Sequence, residues 1–262
     1  MLELDRNYVG DAREVLRKID SGSIDLVVTS PPYDNMRHYD NRQGHTWNSS
    51  MFEEIAGELY RVIKDGGTVV WVVNDKTEGG GKTLTSLRQA LYFQEVGFVC
   101  NDVMIWQKKN PMPVLRSSRY TDVFEYMFVF VKGKKPRVFN PMMIPCKCGG
   151  QAYNSTAKLT GGERGRKALN YYVNKEKVAG NIWEIAVAQN KTGHPAVYPQ
   201  ELVEKHISSW SNAGDIVLDP FMGSGTTALA ALKLDRHFIG IDISEDYVVM
   251  ADRRIQEYLE KC

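Results

Sequence analysis

Ile24-Asp25-Leu26-Val27-Val28-Thr29-Ser30-Pro31-Pro32-Tyr33 sets the architecture expected of this chain. Ile24 to Val28 is an apolar, β-branched run, as in a strand buried within a parallel sheet. Two consecutive prolines can neither continue a ladder nor enter a helix interior, so the chain leaves the sheet at Pro31. An aromatic ring, a hydroxyl and rigid carbonyls then stand at the carboxyl end of a strand, where open α/β sheets bind ligands. The prolines remove backbone freedom and two N–H donors, which leaves local carbonyls as fixed acceptors. Tyr33 offers a flat face to a planar ring. A plain strand exit with a buried tyrosine fits these residues equally well.

A second stretch separates the two readings. Asp215-Ile216-Val217-Leu218-Asp219-Pro220-Phe221-Met222-Gly223-Ser224-Gly225-Thr226-Thr227 reads as strand, glycine turn and helix, the helix continuing through Ala228 to Leu232. The glycines let backbone N–H groups approach a ligand at a helix N-terminus. The next strand, His237-Phe238-Ile239-Gly240-Ile241-Asp242, ends in an acid, which in nucleotide-type sites takes ribose hydroxyls. The strand–turn–helix–strand–acid order makes an ordinary βα turn the poorer reading.

Ser30-Pro31-Pro32-Tyr33 together with Asp219-Pro220-Phe221-Met222-Gly223-Ser224-Gly225 resembles the amino-methylating DNA methyltransferases that use S-adenosylmethionine. The catalytic motif precedes the cofactor motif, as in the permuted group called β. The likeness spans Gly10 to about Ile255. It implies a doubly wound, mostly parallel, seven-stranded α/β sheet of Rossmann-like type. Residues 1–131 and 192–262 would form the catalytic and cofactor-binding domain, and 132–191 a target-recognition region. Hydrogen bonds are expected between the strands before Tyr33 and before Asp219, so that both motifs meet at one edge.

The resemblance also implies a site. Ser30, Pro31, Pro32 and Tyr33 would be catalytic. Asp11, Thr29, His194, Asp219, Pro220, Phe221, Gly223, Ser224, Gly225, Thr226, Thr227, Asp242 and Ile243 would bind the cofactor. Asp11 also reads as a simple cap for the helix starting at Ala12, and His194 as part of a structural loop. In the family the Ser-Pro-Pro-Tyr form goes mainly with cytosine N4, and an Asp or Asn first residue mainly with adenine N6. Ser30 therefore favours cytosine, with adenine N6 as the alternative. A methyltransferase acting on other substrates and a silent DNA-binding module are the rival readings.

Composition agrees with a soluble domain. The 262 residues fit one large domain or a domain with an insertion. No run reaches membrane-spanning length and the N-terminus lacks a signal-peptide pattern. The four cysteines, Cys100, Cys146, Cys148 and Cys262, suit a reducing cytosol, so a cytoplasmic setting without membrane attachment is expected. Cys146-Lys147-Cys148-Gly149-Gly150 resembles half a metal knuckle, but a structural zinc takes four ligands and no second pair lies nearby. No metal is expected, and the thiols read as free.

The net charge of +1 conceals an asymmetry. Lys132 to Lys177 holds eleven Lys or Arg against Glu163 and Glu176 alone, a local balance of +9. Such a stretch suits a polyanion, here double-stranded DNA. Arg37, Lys108, Lys109, Arg116, Arg119, Arg164, Arg166 and Lys167 are the candidate DNA contacts. A homodimer and a cognate restriction endonuclease are further candidate partners.

The remaining elements follow from periodicity. Ala12 to Ile19, Met51 to Ile63, Leu84 to Val96, Gln200 to Trp210 and Glu245 to Leu259 read as helices, with Asp65-Gly66-Gly67 ending the second. Thr68 to Val73, Phe98 to Trp106 and Glu125 to Val131 read as strands, the last two as an antiparallel hairpin. Asp34 to Trp47 reads as a flap over substrate. Asn74, Asp75 and Lys76 are expected to border the cleft. Gly79-Gly80-Gly81-Lys82-Thr83 lacks the spacing and preceding strand of a phosphate loop and reads as a turn.

Overall fold

The computed structural model describes residues 2–32, 47–111, 118–158, 166–188 and 198–261. In chain order the elements are β1 (Arg6–Val9), α1 (Ala12–Leu16), β2 (Ile24–Thr29), α2 (Ser49–Val62), β3 (Ile63–Val73), β4 (Thr77–Glu78), β5 (Gly81–Lys82), α3 (Thr85–Val96), β6 (Phe98–Lys108) and β7 (Phe124–Lys132). There follow β8 (Met143–Pro145), β9 (Ala152–Lys158), β10 (Arg166–Tyr172), β11 (Glu176–Val178), β12 (Ile182–Ile185), α4 (Gln200–Trp210), β13 (Ile216–Asp219), α5 (Thr226–Lys233), β14 (His237–Asp242) and α6 (Glu245–Leu259).

The main sheet has eight strands in the order β1-β14-β13-β2-β3-β7-β6-β12. Strands β1 to β3 of that row pair in parallel, whereas β7 runs antiparallel to both β3 and β6. The expected hairpin of β6 and β7 is therefore present. The expected count of seven strands is one too few. The extra strand is β12, parallel to β6 at the edge, with Trp183 and Ile185 buried and their neighbours exposed. Four residues amid a polar, aperiodic stretch are too short a pattern to read locally.

The central strand β2 is buried along its whole length, as its composition demands. Its one acid is resolved by tertiary partners. Asp25 accepts from Lys64 Nζ at 2.8 Å and from Ile216 N at 3.0 Å, and it also pairs with Arg137. A buried carboxylate without such donors would be costly. Helices pack in two groups, α1 with α2 and α2 with α3, and α4 with α5 and α5 with α6. The first group closes the larger core, where Leu16, Ile55, Leu59 and Phe93 meet Val27, Val69, Trp71 and Phe130.

Several boundaries differ from the periodic reading for local reasons. After Leu16, α1 tightens into turns, Lys18 N–H bonding to Val15 O and Ile19 N–H to Leu16 O. Helix α2 passes straight into β3, because Ile63 is already extended at φ −75° and ψ 141°. Gly66 and Gly67 therefore lie in a bulge of β3 rather than at a helix cap, and a Cβ on Gly67 would stand 2.7 Å from Ile63 Cγ1. β4 and β5 form a ribbon closed by Gly79 and Gly80 at φ 56° and 83°, the two positive values that a two-residue hairpin turn requires.

The chain divides into two units, residues 1–140 with 181–262, and residues 141–180. The second unit contains two antiparallel ribbons, β8 with β11 and β9 with β10. The segment 132–191 is thus divided: Lys132 and its neighbours up to Asn140, and β12, belong to the first unit.

Candidate active site

The carboxyl ends of β2 and β13 are adjacent. Val217 pairs with Leu26 and Leu218 with Val27, which sets the two strand ends side by side at the edge where open α/β sheets bind ligands. At this edge Thr29 is followed by half-buried Ser30, buried Pro31 and half-buried Pro32. Tyr33 lies outside the described residues.

One carboxylate ties the edge together. Thr29 Oγ1 donates to Asp219 Oδ1 at 2.6 Å and Phe221 N donates to the same oxygen at 3.1 Å. Tyr198 OH and Thr227 Oγ1 donate to Oδ2 at 3.1 and 2.6 Å. Tyr198 OH also meets Thr227 Oγ1. A carboxylate offers about four acceptor positions, and protein donors fill them here. Thr29 is fully buried and Asp219 is 2% exposed. Burial pushes the Asp219 carboxyl up, against the pull of its four donors. Burial and the Asp219 charge hold the Tyr198 phenol well above its ordinary value, so it remains a donor.

The turn after β13 is shaped by packing as much as by ligand approach. Gly223 and Gly225 have φ of 50° and 76°, which suit glycine alone at low cost. A Cβ on Gly225 would lie 2.7 Å from Ala251 Cβ of α6. Gly225 N–H bonds to Met222 O, and Gly223 N–H to Asp242 Oδ2 at 2.9 Å. Neither glycine amide therefore points to a ligand. The donors that remain are the first-turn amides of α5, which have no intrahelical acceptor. Ser224 is buried, and its side chain and carbonyl both accept from Arg254. Pro220 and Thr226 are buried too.

Asp242 stands at the end of β14 with part of its surface open. Its carboxylate accepts from Gly223 N and from Ser244 N, each at 2.9 Å, one per oxygen. Those two bonds leave acceptor capacity for a pair of hydroxyls. Desolvation pushes its carboxyl up to about 6, against the backbone donors of Ser244 and Gly223. Ile243, next in sequence, is half-buried.

Asp11 caps α1 by accepting from Arg13 N at 2.9 Å, and Arg13 Nη2 approaches its other oxygen at 2.7 Å. Phe221 is half-buried between two indoles, edge-on to Trp47 at 5.2 Å and to Trp71 at 6.2 Å. Trp47 is the last residue of the stretch read as a flap, and its ring contact brings the chain back to this turn. Asp75 does not border the cleft. It is buried, and it accepts from Ser86 N at 2.9 Å and Ser86 Oγ at 2.8 Å at the start of α3. Leu84, at φ 56°, makes no side-chain cap there.

The expected DNA contacts have different fates. Arg37, Arg116 and Arg164 lie outside the described residues, as does His194. Arg166 and Lys167 lie on β10. Lys108 pairs with Glu125 at 2.8 Å and sits 5.5 Å over the Trp106 ring, so its charge is already engaged. Lys109 is exposed. Arg119 is exposed and donates to Gly80 O. Sequence reasoning missed Tyr198, Trp47 and Arg254. Their roles come from contacts with residues far away in the chain, and no local spacing marks them.

No group of three His, Cys, Asp or Glu among the described residues could hold a metal. None of the helices described is long and apolar enough to cross a membrane.

Comparison with known proteins agrees with this geometry. Residues 24–253 match the family model described as DNA methylase of the N6/N4 type. The chain is 46% identical to the orphan methyltransferase M.BamHII of Bacillus amyloliquefaciens, over 90% of this chain and 90% of that protein. It is 31% identical to the DNA adenine methyltransferase YhdJ of Escherichia coli K12, over 94% of this chain and 81% of that one. The solved structure of the M1.HpyAVI–SAM complex superposes with a TM-score of 0.63 at 27% identity, covering 95% of this chain and 98% of that one. The matched region carries both the Ser30-Pro31 edge and the Gly223–Gly225 turn, and the chain belongs to the N6/N4 DNA methylase family, as a DNA amino-methyltransferase.

Proposed function

We propose that the chain transfers a methyl group from S-adenosylmethionine to the exocyclic amino group of a base flipped out of duplex DNA, and that this base is cytosine, methylated at N4. The observation that carries the reading is the Thr29–Asp219 bond of 2.6 Å, which joins the strand end before Ser30 to the glycine turn. The donor set fits the cofactor. Asp242 retains acceptor capacity for the ribose hydroxyls, and the first-turn amides of α5 suit the carboxylate of the methionine end. When bound, the cofactor supplies an electrophilic methyl on a sulfonium.

The chain's own residues deal with a poor nucleophile, since the amino lone pair is delocalised into the base ring. The Ser30 hydroxyl and the Pro31 carbonyl accept its two hydrogens and favour a tetrahedral nitrogen. Pro31 and Pro32 keep those acceptors fixed, so little reorganisation is needed as charge develops. Holding nucleophile and methyl in line supplies much of the rest of the rate. Tyr33 stacks on the flipped base. The segment 132–191, whose centre forms the unit 141–180, reads the sequence through base edges while other basic side chains hold phosphates.

Ser30 in the first motif position supports cytosine. Adenine N6 is the second reading, favoured by the 31% identity to a relative named as an adenine methyltransferase. Incubation with labelled S-adenosylmethionine and unmethylated DNA, followed by digestion and mass spectrometry, distinguishes them. N4-methylcytosine is expected. Only N6-methyladenine would overturn the base assignment. 5-Methylcytosine would overturn the mechanism as well, because carbon methylation calls for a nucleophile such as a thiolate. Tyr33→Ala should bind cofactor normally yet methylate poorly, stacking being worth roughly 1–3 kcal/mol per base.

A further inference from the structure

Asp219 lies inside the cofactor motif, yet its geometry is not that of a ligand contact. It is 2% exposed and each carboxylate oxygen already has two protein donors. Those donors come from three separate parts of the chain. Thr29 ends β2 and directly precedes Ser30. Phe221 N–H and Thr227 belong to the turn and first residues of α5. Tyr198 precedes Pro199, which caps α4 with φ −64°.

We propose that Asp219 is a latch that locks the catalytic strand end to the cofactor turn, with Thr29 and Tyr198 as positioning residues for methyl transfer. The inference rests on the methyltransferase reading above. Thr29 and Ser30 are consecutive, so any shift of the Thr29 side chain carries the Ser30 backbone with it. Asp219 sits two residues before Phe221 and four before Gly223, so the same carboxylate restrains the turn. Thr227 Oγ1 also approaches Val28 O at 3.4 Å, a second tie from α5 to β2. The acceptor side and the donor side of an in-line transfer are thereby referred to one buried group. Displacement of about 1 Å at such a centre can cost a hundredfold in rate. The Tyr198 hydroxyl completes the donor set from a third direction, and it stays protonated at all relevant pH.

The Thr29 and Tyr198 hydroxyls are engaged with Asp219 and are not among the donors that suit the cofactor. Thr29→Val, which keeps shape and deletes the hydroxyl, should therefore lower the single-turnover methylation rate at least tenfold with cofactor Kd changed less than twofold. Thr29→Ser keeps the hydroxyl and should retain the rate. Tyr198→Phe should show the same rate–affinity split, and the double variant should lose less than the product of the single losses, because both donors act through one carboxylate. Hydrogen exchange of the peptide carrying Ser30 should accelerate in Tyr198→Phe, which lies far away in sequence, while exchange in β6 and β7 stays unchanged. If Thr29→Val fails to fold, Tyr198→Phe decides.

Cofactor affinity falling in step with rate would overturn the latch and make Asp219 part of the binding pocket. So would wild-type rates and unchanged exchange in folded variants, or losses that simply multiply. Should wild-type protein methylate no DNA at all, the functional reading falls, and the exchange experiment alone decides the latch.

Discussion

Cofactor affinity should fall in acid as Asp242 is protonated. Its carboxyl is pushed up to about 6 by desolvation, while Gly223 N–H and Ser244 N–H each occupy one position on its two oxygens. Protonation turns one of the remaining positions into a donor and removes the charge that strengthens the others as acceptors. With a midpoint near 6, about a tenth of the free protein is ionised at pH 5, so Kd for S-adenosylmethionine should rise roughly tenfold between pH 7.5 and pH 5, close to 1.4 kcal/mol. Calorimetry in buffers of different ionisation heat should also detect close to one proton released per cofactor bound at pH 5.

The same group acts oppositely on folding. A carboxyl raised above its unfolded value of 3.8 contributes stability that is present below about pH 3.8 and lost as pH rises through about 6. Acid therefore weakens binding without weakening the fold through this residue, and thermal melts at each pH separate the two effects. Asp242→Asn removes the charge and half the acceptor capacity. It should cost about 1.5–3 kcal/mol of cofactor affinity, the range for a hydrogen bond to a charged group, and should abolish the pH step. A wild-type Kd that stays flat from pH 7.5 to 5 in folded protein would refute the role given to Asp242.

Gly225→Ala combines a φ of 76° with a Cβ 2.7 Å from Ala251 Cβ, and should destabilise by roughly 2–4 kcal/mol in denaturant titration. Asp75→Ala deletes both bonds to Ser86 and should lower stability by about 1–3 kcal/mol, with the methylation rate of the folded fraction unchanged. Lys109→Ala should lower the salt dependence of DNA binding by about one phosphate contact. Lys108→Ala should leave that slope unaltered and destabilise the fold, since it removes the ion pair to Glu125, which is 8% exposed; a slope change with Lys108→Ala alone would reverse the assignment.

Much of this protein was legible in its sequence because the relevant physics is local. The helices Gln200–Trp210 and Glu245–Leu259 and the strand His237–Asp242 occupy the spans that their periodicity marks. The two prolines after Thr29, and the glycines after Asp219, place loops at strand ends by backbone restriction alone. The pairing of β2 with β13 was expected from the family resemblance rather than from the two apolar runs themselves, and the structure has it.

Tertiary structure decided what each polar group does. Thr29 and Asp219 are 190 residues apart, and nothing near either shows that they bond or that Tyr198 joins them. Lys108 looked like a phosphate contact until β7 placed Glu125 beside it, and Asp75 looked like a cleft residue until α3 offered Ser86. Gly225 is required as much by Ala251 of α6 as by any ligand. Burial and propensity act over a few neighbouring residues, so they can be read along the chain. A hydrogen-bond donor or counter-charge is chosen by whatever the fold brings within about 3 Å, and that is settled only when distant segments pack.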